Sequence, residues 1–488
     1  MRKTNRFTPL WLAGVVGLAG CSDNTPTTPL PGSPSLSTSS GAETGYVILG
    51  SGNRLPRNLS AAVTAAGGSL TAALGQIGVA FATSSDAAFA SSASAIGGVQ
   101  AVVPDLVVQW VEPVTGESIE LGEEGVEPQV HEVGGHESFR LAQWAPDAVN
   151  APAAWATGQR GAGARVAIVD GGIASNHLDI APNLDAARSV SFVPFQPYNF
   201  DTGTFWHGTH VAGIVAAPIN NLGTVGIAPE ATLIGVKVLH GGSGAFSWVI
   251  NGIIYAATPI SQGGAGAHII NMSLGAYLPK TGQFGPSLPH LFNAVSRATN
   301  YAYQQGVTVI AAAGNSAVDM DHDANFFFIP AQSTSVNAVA ATGPTGFGFT
   351  PPMTNFDRPA SYTNFGQSAI DFAGGGGDGS LVGTPAGDAL CTKPRLPVGT
   401  ITVPCWVFDM VMSPTVVIGT SHFYTWAAGT SMASPVVAGV AALIVGKHGP
   451  MHPAQVQARL RQSADDLGKR GNDDFYGAGR VNALRAVQ

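Results

Sequence analysis

Ser431 sits in Gly429-Thr430-Ser431-Met432-Ala433-Ser434-Pro435, directly before the apolar run Val436-Val437-Ala438-Gly439-Val440-Ala441-Ala442-Leu443-Ile444. This pattern puts a hydroxyl where a loop becomes a buried helix. A helix start offers backbone N–H groups without intrahelical acceptors and the positive end of the peptide dipole, a setting that can hold the oxyanion formed when a serine attacks a carbonyl. Pro435 is expected in the first turn, where its missing N–H removes no bond. A serine here serves equally well as a plain helix cap, so nucleophilic use requires a base and a carboxylate to orient that base. Arg165-Val166-Ala167-Ile168-Val169-Asp170 reads as a buried strand ending in an acid, and open α/β sheets assemble sites at the carboxyl ends of their strands. His207-Gly208-Thr209-His210-Val211-Ala212-Gly213-Ile214-Val215 reads as a helix opening on histidine, with Val211, Ile214 and Val215 on its packing face. The chemistry on offer is acyl transfer, with Ser431 as nucleophile, His207 as base and Asp170 as its orienting acid.

With these three segments in the order Asp, His, Ser, the chain resembles the subtilase family of subtilisin-like serine proteases over most of residues 139–488. The resemblance implies an α/β three-layer fold with a mostly parallel central sheet, and peptide-bond hydrolysis through an acyl-enzyme. It extends to Ala311-Ala312-Ala313-Gly314-Asn315 after the strand Val307–Ile310, which implies that Asn315 donates to the oxyanion beside the Ser431 N–H. Gly242-Ser243-Gly244 and Ser273-Leu274-Gly275 are similar to the two extended family segments between which a substrate lies as an added strand. Phe246 then falls where an aromatic rims the outer pocket, and Ser273 to Gly275 with Ala312, Ala313 and Gly314 would wall the main one. Tyr476-Gly477-Ala478-Gly479-Arg480-Val481-Asn482 resembles the closing segment of the family's catalytic domain, which implies no accessory domain after it.

The chain also departs from the family pattern. Gly171 follows Asp170 where relatives carry Thr or Ser, so a hydroxyl near the acid is missing and its support is expected to be slightly looser. Phe328, in Phe326-Phe327-Phe328-Ile329-Pro330, either shortens the main pocket or belongs to the core. Ala373-Gly374-Gly375-Gly376-Gly377 replaces the family's Ala-Pro-Gly, and a long insertion then precedes the serine segment.

The amino-terminal region divides in sequence. Arg2, Lys3 and Arg6 precede the apolar run Leu10–Gly17 and Leu18-Ala19-Gly20-Cys21, which reads as a signal peptide over 1–20 with a lipobox-like end. Resemblance to bacterial lipoprotein precursors implies lipidation of Cys21, and Ser22 resembles outer-membrane sorting; simple secretory cleavage is the alternative. Cys391 and Cys405 then remain as an even pair for which an exported chain favours a disulfide, with two free buried thiols as the alternative. Residues 21–44, rich in Ser, Thr, Pro and Gly, read as a tether. Over 45–111 the expected order is strand Tyr46–Leu49, helix Leu59–Ala66, strand Ile77–Ala82, helix Ala87–Ala95, strand Gly98–Val103 and a final strand Leu106–Val108, a small ferredoxin-like α+β unit. It resembles the subtilase propeptide, which implies an intramolecular chaperone and inhibitor whose tail lies in the cleft; a permanently retained interaction domain is the alternative. Residues 112–138 are expected to form an exposed maturation linker and 139–488 the catalytic domain.

Composition excludes other classes. Charged residues are 11% and the net charge is −8, with no basic cluster in the body of the chain, so nucleic-acid binding is not expected. No catalytic cofactor or metal is expected. His131 and His136 are separated by two glycines and would not share a helix face, and no Glu follows His207 as a zinc protease would need. His210 is read as a core residue. Structural calcium is implied by family resemblance without assignable ligands; Asp319, Asp321 and Asp323 either bind one or form a solvated turn. The expected protein is an exported serine endopeptidase made as a self-processing zymogen. It would be monomeric, act on polypeptides, and either stay lipid-anchored at the cell surface or outer membrane or be released outside the cell. The alternative is an inactive peptide-binding surface lipoprotein.

Overall fold

The computed structural model describes residues 36–38, 43–110 and 134–488, and the backbone of 114–120. The expected signal segment, Cys21, most of the expected tether, and His131 lie outside the described residues. Residues 36–38 of the tether, Leu36–Thr38, are a short strand paired antiparallel to Leu106–Val108. A backbone ladder needs no apolar pattern on the added strand, so composition did not announce it.

The small amino-terminal unit runs β1 (Thr44–Gly50), α1 (Leu59–Ala65), β2 (Ser69–Leu74), β3 (Val79–Ser84), α2 (Phe89–Ser94) and β4 (Val99–Pro104). Its antiparallel sheet has the order β2-β3-β1-β4, the ferredoxin-like arrangement expected from alternation. Strand periodicity explains how it is buried on both sides. Tyr46 and Ile48 of β1 meet Leu59, Val63 and Phe89 of the two helices, whereas Val47 and Leu49 point the other way into a cluster shared with the large unit. The edge strand β2 was not anticipated: its alternation of half-buried Leu70, Ala72 and Leu74 with exposed neighbours is weak in apolar content. The chain continues as β5 (Leu106–Gln109) and β6 (Val114–Glu120).

The large unit is built on seven parallel strands. In chain order these elements are β7 (Arg165–Asp170), β8 (Val190–Ser191), α3 (His207–Ala216), β9 (Thr232–Lys237), β10 (Ser243–Ala245), α4 (Phe246–Ala257), β11 (Ile269–Met272), α5 (Leu288–Gln304), β12 (Thr308–Ala312), β13 (Val336–Thr342) and β14 (Phe372–Gly375). The central sheet has the order β14-β13-β12-β11-β7-β9-β8, with every neighbouring pair parallel. β15 (Val411–Ile418) and β16 (Ser421–Ala428) form a hairpin, and α6 (Thr430–His448) follows at once. Alternate residues of β7 serve opposite layers. Val166 and Ile168 pack with Val211, Val436 and Val440 of α3 and α6, and Ala167 and Val169 with Val249, Ile250 and Leu291 of α4 and α5. Strands buried on both faces read as continuous apolar runs, which is why β7 was legible.

Among the described residues, α6 alone is long and apolar enough to cross a membrane, but it is buried within the protein and is a core helix. Gly374 and Gly376 let it approach the sheet: a Cβ on Gly374 would lie 2.6 Å from Ala433 O, and one on Gly376 would lie 2.7 Å from Gly429 O at the helix cap. The insertion before the serine forms a lobe around Phe139, Phe408, Tyr424 and Trp426. Within it Cys391 and Cys405 are disulfide-bonded, with Cα atoms 4.8 Å apart.

Candidate active site

Asp170 ends β7, and its carbonyl accepts from Val238 N–H at 2.8 Å, which fixes the strand end against the segment leaving β9. Its side chain is 1% exposed. His207 opens α3 and donates from Nδ1 to Asp170 Oδ1 at 2.8 Å, with Oδ2 at 3.0 Å. A carboxylate only accepts, so this bond puts the imidazole proton on Nδ1 and leaves the Nε2 lone pair free. Nε2 is buried and has no hydrogen-bond partner among the described residues. His210, one turn on, is fully buried against Thr425 O at 3.1 Å; burial pushes it down to about 3, so it is a neutral core residue.

Ser431 is the second residue of α6, since the helix starts at Thr430. Pro435 therefore lies inside the helix and not in its first turn, a correction to the expectation from sequence. Its missing N–H would have bonded Ser431 O, four residues back. That carbonyl is satisfied instead by Ser273 Oγ, which donates to it at 2.7 Å. Ser431 Oγ in turn donates to Ser273 O at 3.1 Å. Asn271 Nδ2 donates to Ser273 Oγ, and Ser434 Oγ to Asn271 Oδ1, closing a buried network under the serine. Asn271 and Ser434 were missed because single polar residues in apolar segments carry no spacing signal.

Asn315 follows β12. Its Oδ1 accepts from Thr430 N–H and Thr430 Oγ1, both at 2.8 Å. These donors fix the amide orientation and leave Nδ2 as the donating end beside the start of α6. Gly314, at φ +109°, has no room for a Cβ, because Asn364 Nδ2 would lie 2.5 Å away. Ala312 and Ala313 are buried beside it. Phe328 packs with Ala313, Met320 and Tyr277 and is a core residue.

The segments Gly242 to Gly244 and Ser273 to Gly275 hold a strand of the same chain. β5 pairs antiparallel with β10, setting Val108 opposite Gly244 and Gln109 opposite Ser243. Trp110 N–H donates to Gly242 O at 2.9 Å, and Trp110 O accepts from Gly275 N–H at 3.0 Å. Its indole N–H donates to Gly244 O at 2.8 Å, and its ring meets Phe246 edge-on at 5.0 Å. Leu274 is buried in the same cluster. Asp105, just before β5, accepts from Ser247 N–H at the start of α4, and burial pushes its carboxyl up to about 6 despite that bond. Trp110 was not anticipated as a partner of Gly244 and Phe246. Beyond it, β6 pairs antiparallel with β16, Val114 opposite Ala428.

Asp319, Asp321 and Asp323 do not converge: they turn to His322, to Ser368 and to Tyr277 respectively. Among the described residues no group of three or more His, Cys, Asp or Glu side chains is arranged to hold a metal ion, so this loop does not fit the calcium that family resemblance implied.

The Subtilase family model matches residues 161–479. The chain is 32% identical over 354 residues to subtilisin NAT of Bacillus subtilis subsp. natto, covering 72% of this chain and 73% of that one. It is 31% identical over 352 residues to thermitase of Thermoactinomyces vulgaris, covering 72% and 97%. Its fold resembles the solved epidermin leader peptide processing serine protease of Staphylococcus aureus, with a TM-score of 0.67 at 18% identity over 91% of this chain and 98% of that one. The parallel sheet, the buried Asp–His pair at its strand ends and these matches lead to one conclusion: the chain belongs to the subtilase family of subtilisin-like serine proteases.

Proposed function

We propose that the chain is a serine endopeptidase that processes itself, with Asp170, His207 and Ser431 as its triad. The observation that carries this reading is the placement of Leu106–Trp110: a polypeptide of the same chain already lies as an added strand on Ser243–Ala245, with Leu36–Thr38 on its far side and Trp110 bonded through its main chain to both Gly242 and Gly275. Main-chain capture suits many sequences, with side-chain pockets supplying preference.

In this reading His207 Nε2 takes the Ser431 proton as Oγ attacks the substrate carbonyl, and Asp170 supports the imidazolium. The tetrahedral oxyanion is held by Ser431 N–H and Asn315 Nδ2. The protonated imidazole then gives its proton to the leaving amine, and water repeats the sequence to release the acyl group. Ser431 must rotate from Ser273 O towards His207 for this, a tightening common on substrate binding. Asn315→Ala is expected to lower kcat by about 10²–10³-fold with little change in KM; an unchanged kcat in steady-state assays would remove Asn315 from the oxyanion hole.

We also propose the small unit as a propeptide that blocks the cleft until cut. β6 is paired with the strand that ends at Ala428, three residues before Ser431, and this pairing supports a maturation cut between Trp110 and Val114. Export with lipidation of Cys21 completes the reading. Radiolabelled palmitate is expected in the intact chain and not in Cys21→Ser; equal labelling of both would exclude the anchor at that residue.

A further inference from the structure

Lys237 and Asp201 form a buried charged pair behind Asp170 that the triad chemistry leaves unused. Lys237 ends β9 opposite Asp170 in the parallel register and is fully buried. Its ammonium donates to Gly171 O, and to Leu239 O at 2.7 Å, and stands 3.7 Å from Asp201 Oδ1. Asp201, 5% exposed, accepts at Oδ1 from Thr202 N–H and Gly241 N–H, both at 2.9 Å. Its Oδ2 fills the space beside Gly171: a Cβ there would lie 2.4 Å from that oxygen. Gly171 N–H in turn donates to Asp170 Oδ1 at 2.6 Å.

We infer that Lys237 and Asp201 are positioning residues for the catalytic acid, gripping Gly171 from both sides and balancing the charge that His207 feels through Asp170. This rests on the triad reading above. The absence of a side chain at Gly171 is then a requirement: the carboxylate of Asp201 stands where a neighbouring hydroxyl would have been, and the support expected to be loose is supplied from another segment. Burial opposes the charge on Lys237, and Asp201 and then Asp170 favour it, so removing one member leaves the other uncompensated.

Among the described residues, the ionisable groups around His207 are Asp170 on β7, Lys237 on β9, Asp201 and His240 in adjoining loops, and His210 on its own helix, which is neutral. His240 Nδ1 lies 3.6 Å from Asp201 Oδ1, so the test uses a His240→Asn background to remove its titration. In that background the acid limb of the kcat/KM profile is measured for the parent, Asp201→Asn, Lys237→Met and the double variant. Active enzyme is counted by fluorophosphonate titration, so only folded molecules contribute.

Deleting the negative charge is expected to move the limb to lower pH and deleting the positive charge to higher pH, each by about half a unit. The double variant is expected to return towards the parent. A merely structural pair would lower the amount of active enzyme without opposite shifts. Limbs that stay put, or move the same way, in an active parent overturn the inference and leave the triad reading intact; an inactive parent overturns both. Gly171→Ala tests the packing without altering a charge: its methyl competes with Asp201 Oδ2, so kcat falls severalfold while KM holds, and an unchanged kcat contradicts the arrangement.

Discussion

At the scale of single residues, the serine in the first turn of α6 depends on side chains that perform no chemistry. Pro435 deprives Ser431 O of its helical partner, and Ser273 Oγ supplies a replacement while its own carbonyl parks the Ser431 hydroxyl. Ser273→Ala therefore leaves Ser431 O and Asn271 Nδ2 buried without their partner. A loss of about 1–3 kcal/mol is expected, read by thermal unfolding in a Ser431→Ala background so that self-digestion does not enter. An unchanged melting temperature would mean that water or relaxation takes up those bonds. The three residues proposed as the triad stand out in the sequence because each sits at or beside an element boundary that apolar patterning marks. Asp201, Lys237 and Thr430 were not, since their roles arise from segments distant in sequence that only the folded sheet brings together.

At the scale of elements, parallel β7, β9, β11 and β12 end on one side, and α3 after β8 and α6 after the β15–β16 hairpin begin at that edge with His207 and Ser431 in their first turns. This much follows from apolar runs alternating with helices. The small unit was also legible, apart from its thin edge strand β2 and the strand at Leu36–Thr38, whose pairing depends on backbone alone. Its grip on the large unit is expected to depend on pH. Asp105 is raised from its ordinary value to about 6, chiefly by burial, where it caps α4. A group raised in the folded state contributes stability that is full below its unfolded value near 3.8 and lost as pH rises through about 6. Asp105→Asn should thus gain stability relative to the parent as pH climbs from 4 to 7, by up to roughly 3 kcal/mol. Melting curves of the uncut Ser431→Ala protein across that range check it; a difference that does not change with pH would show that Asp105 is not buried as a charge.

At the scale of the whole molecule, two units share one apolar cluster and one strand ladder. Val47, Leu49, Phe81 and Val103 of the small sheet lie with Leu291, Ala294 and Val295 of α5, and β5 continues from that sheet into the cleft. Arg297 reinforces the junction by donating to Gly50 O and Gly78 O at 3.1 Å. The cleft is thereby filled by the chain's own strand, leading to β6 beside the hairpin that delivers Ser431. In the proposed maturation, release of the small unit would break many contacts at once, so a single cut is expected to precede its departure. The most direct test of the central claim is to treat the purified, processed protein with a fluorophosphonate probe, map the modified residue and sequence the new amino terminus. Modification is expected at Ser431, with a start between residues 111 and 114 and a Ser431→Ala protein that stays uncut and unlabelled. An uncut, unlabelled parent, or a Ser431→Ala protein that processes itself normally, would contradict that claim.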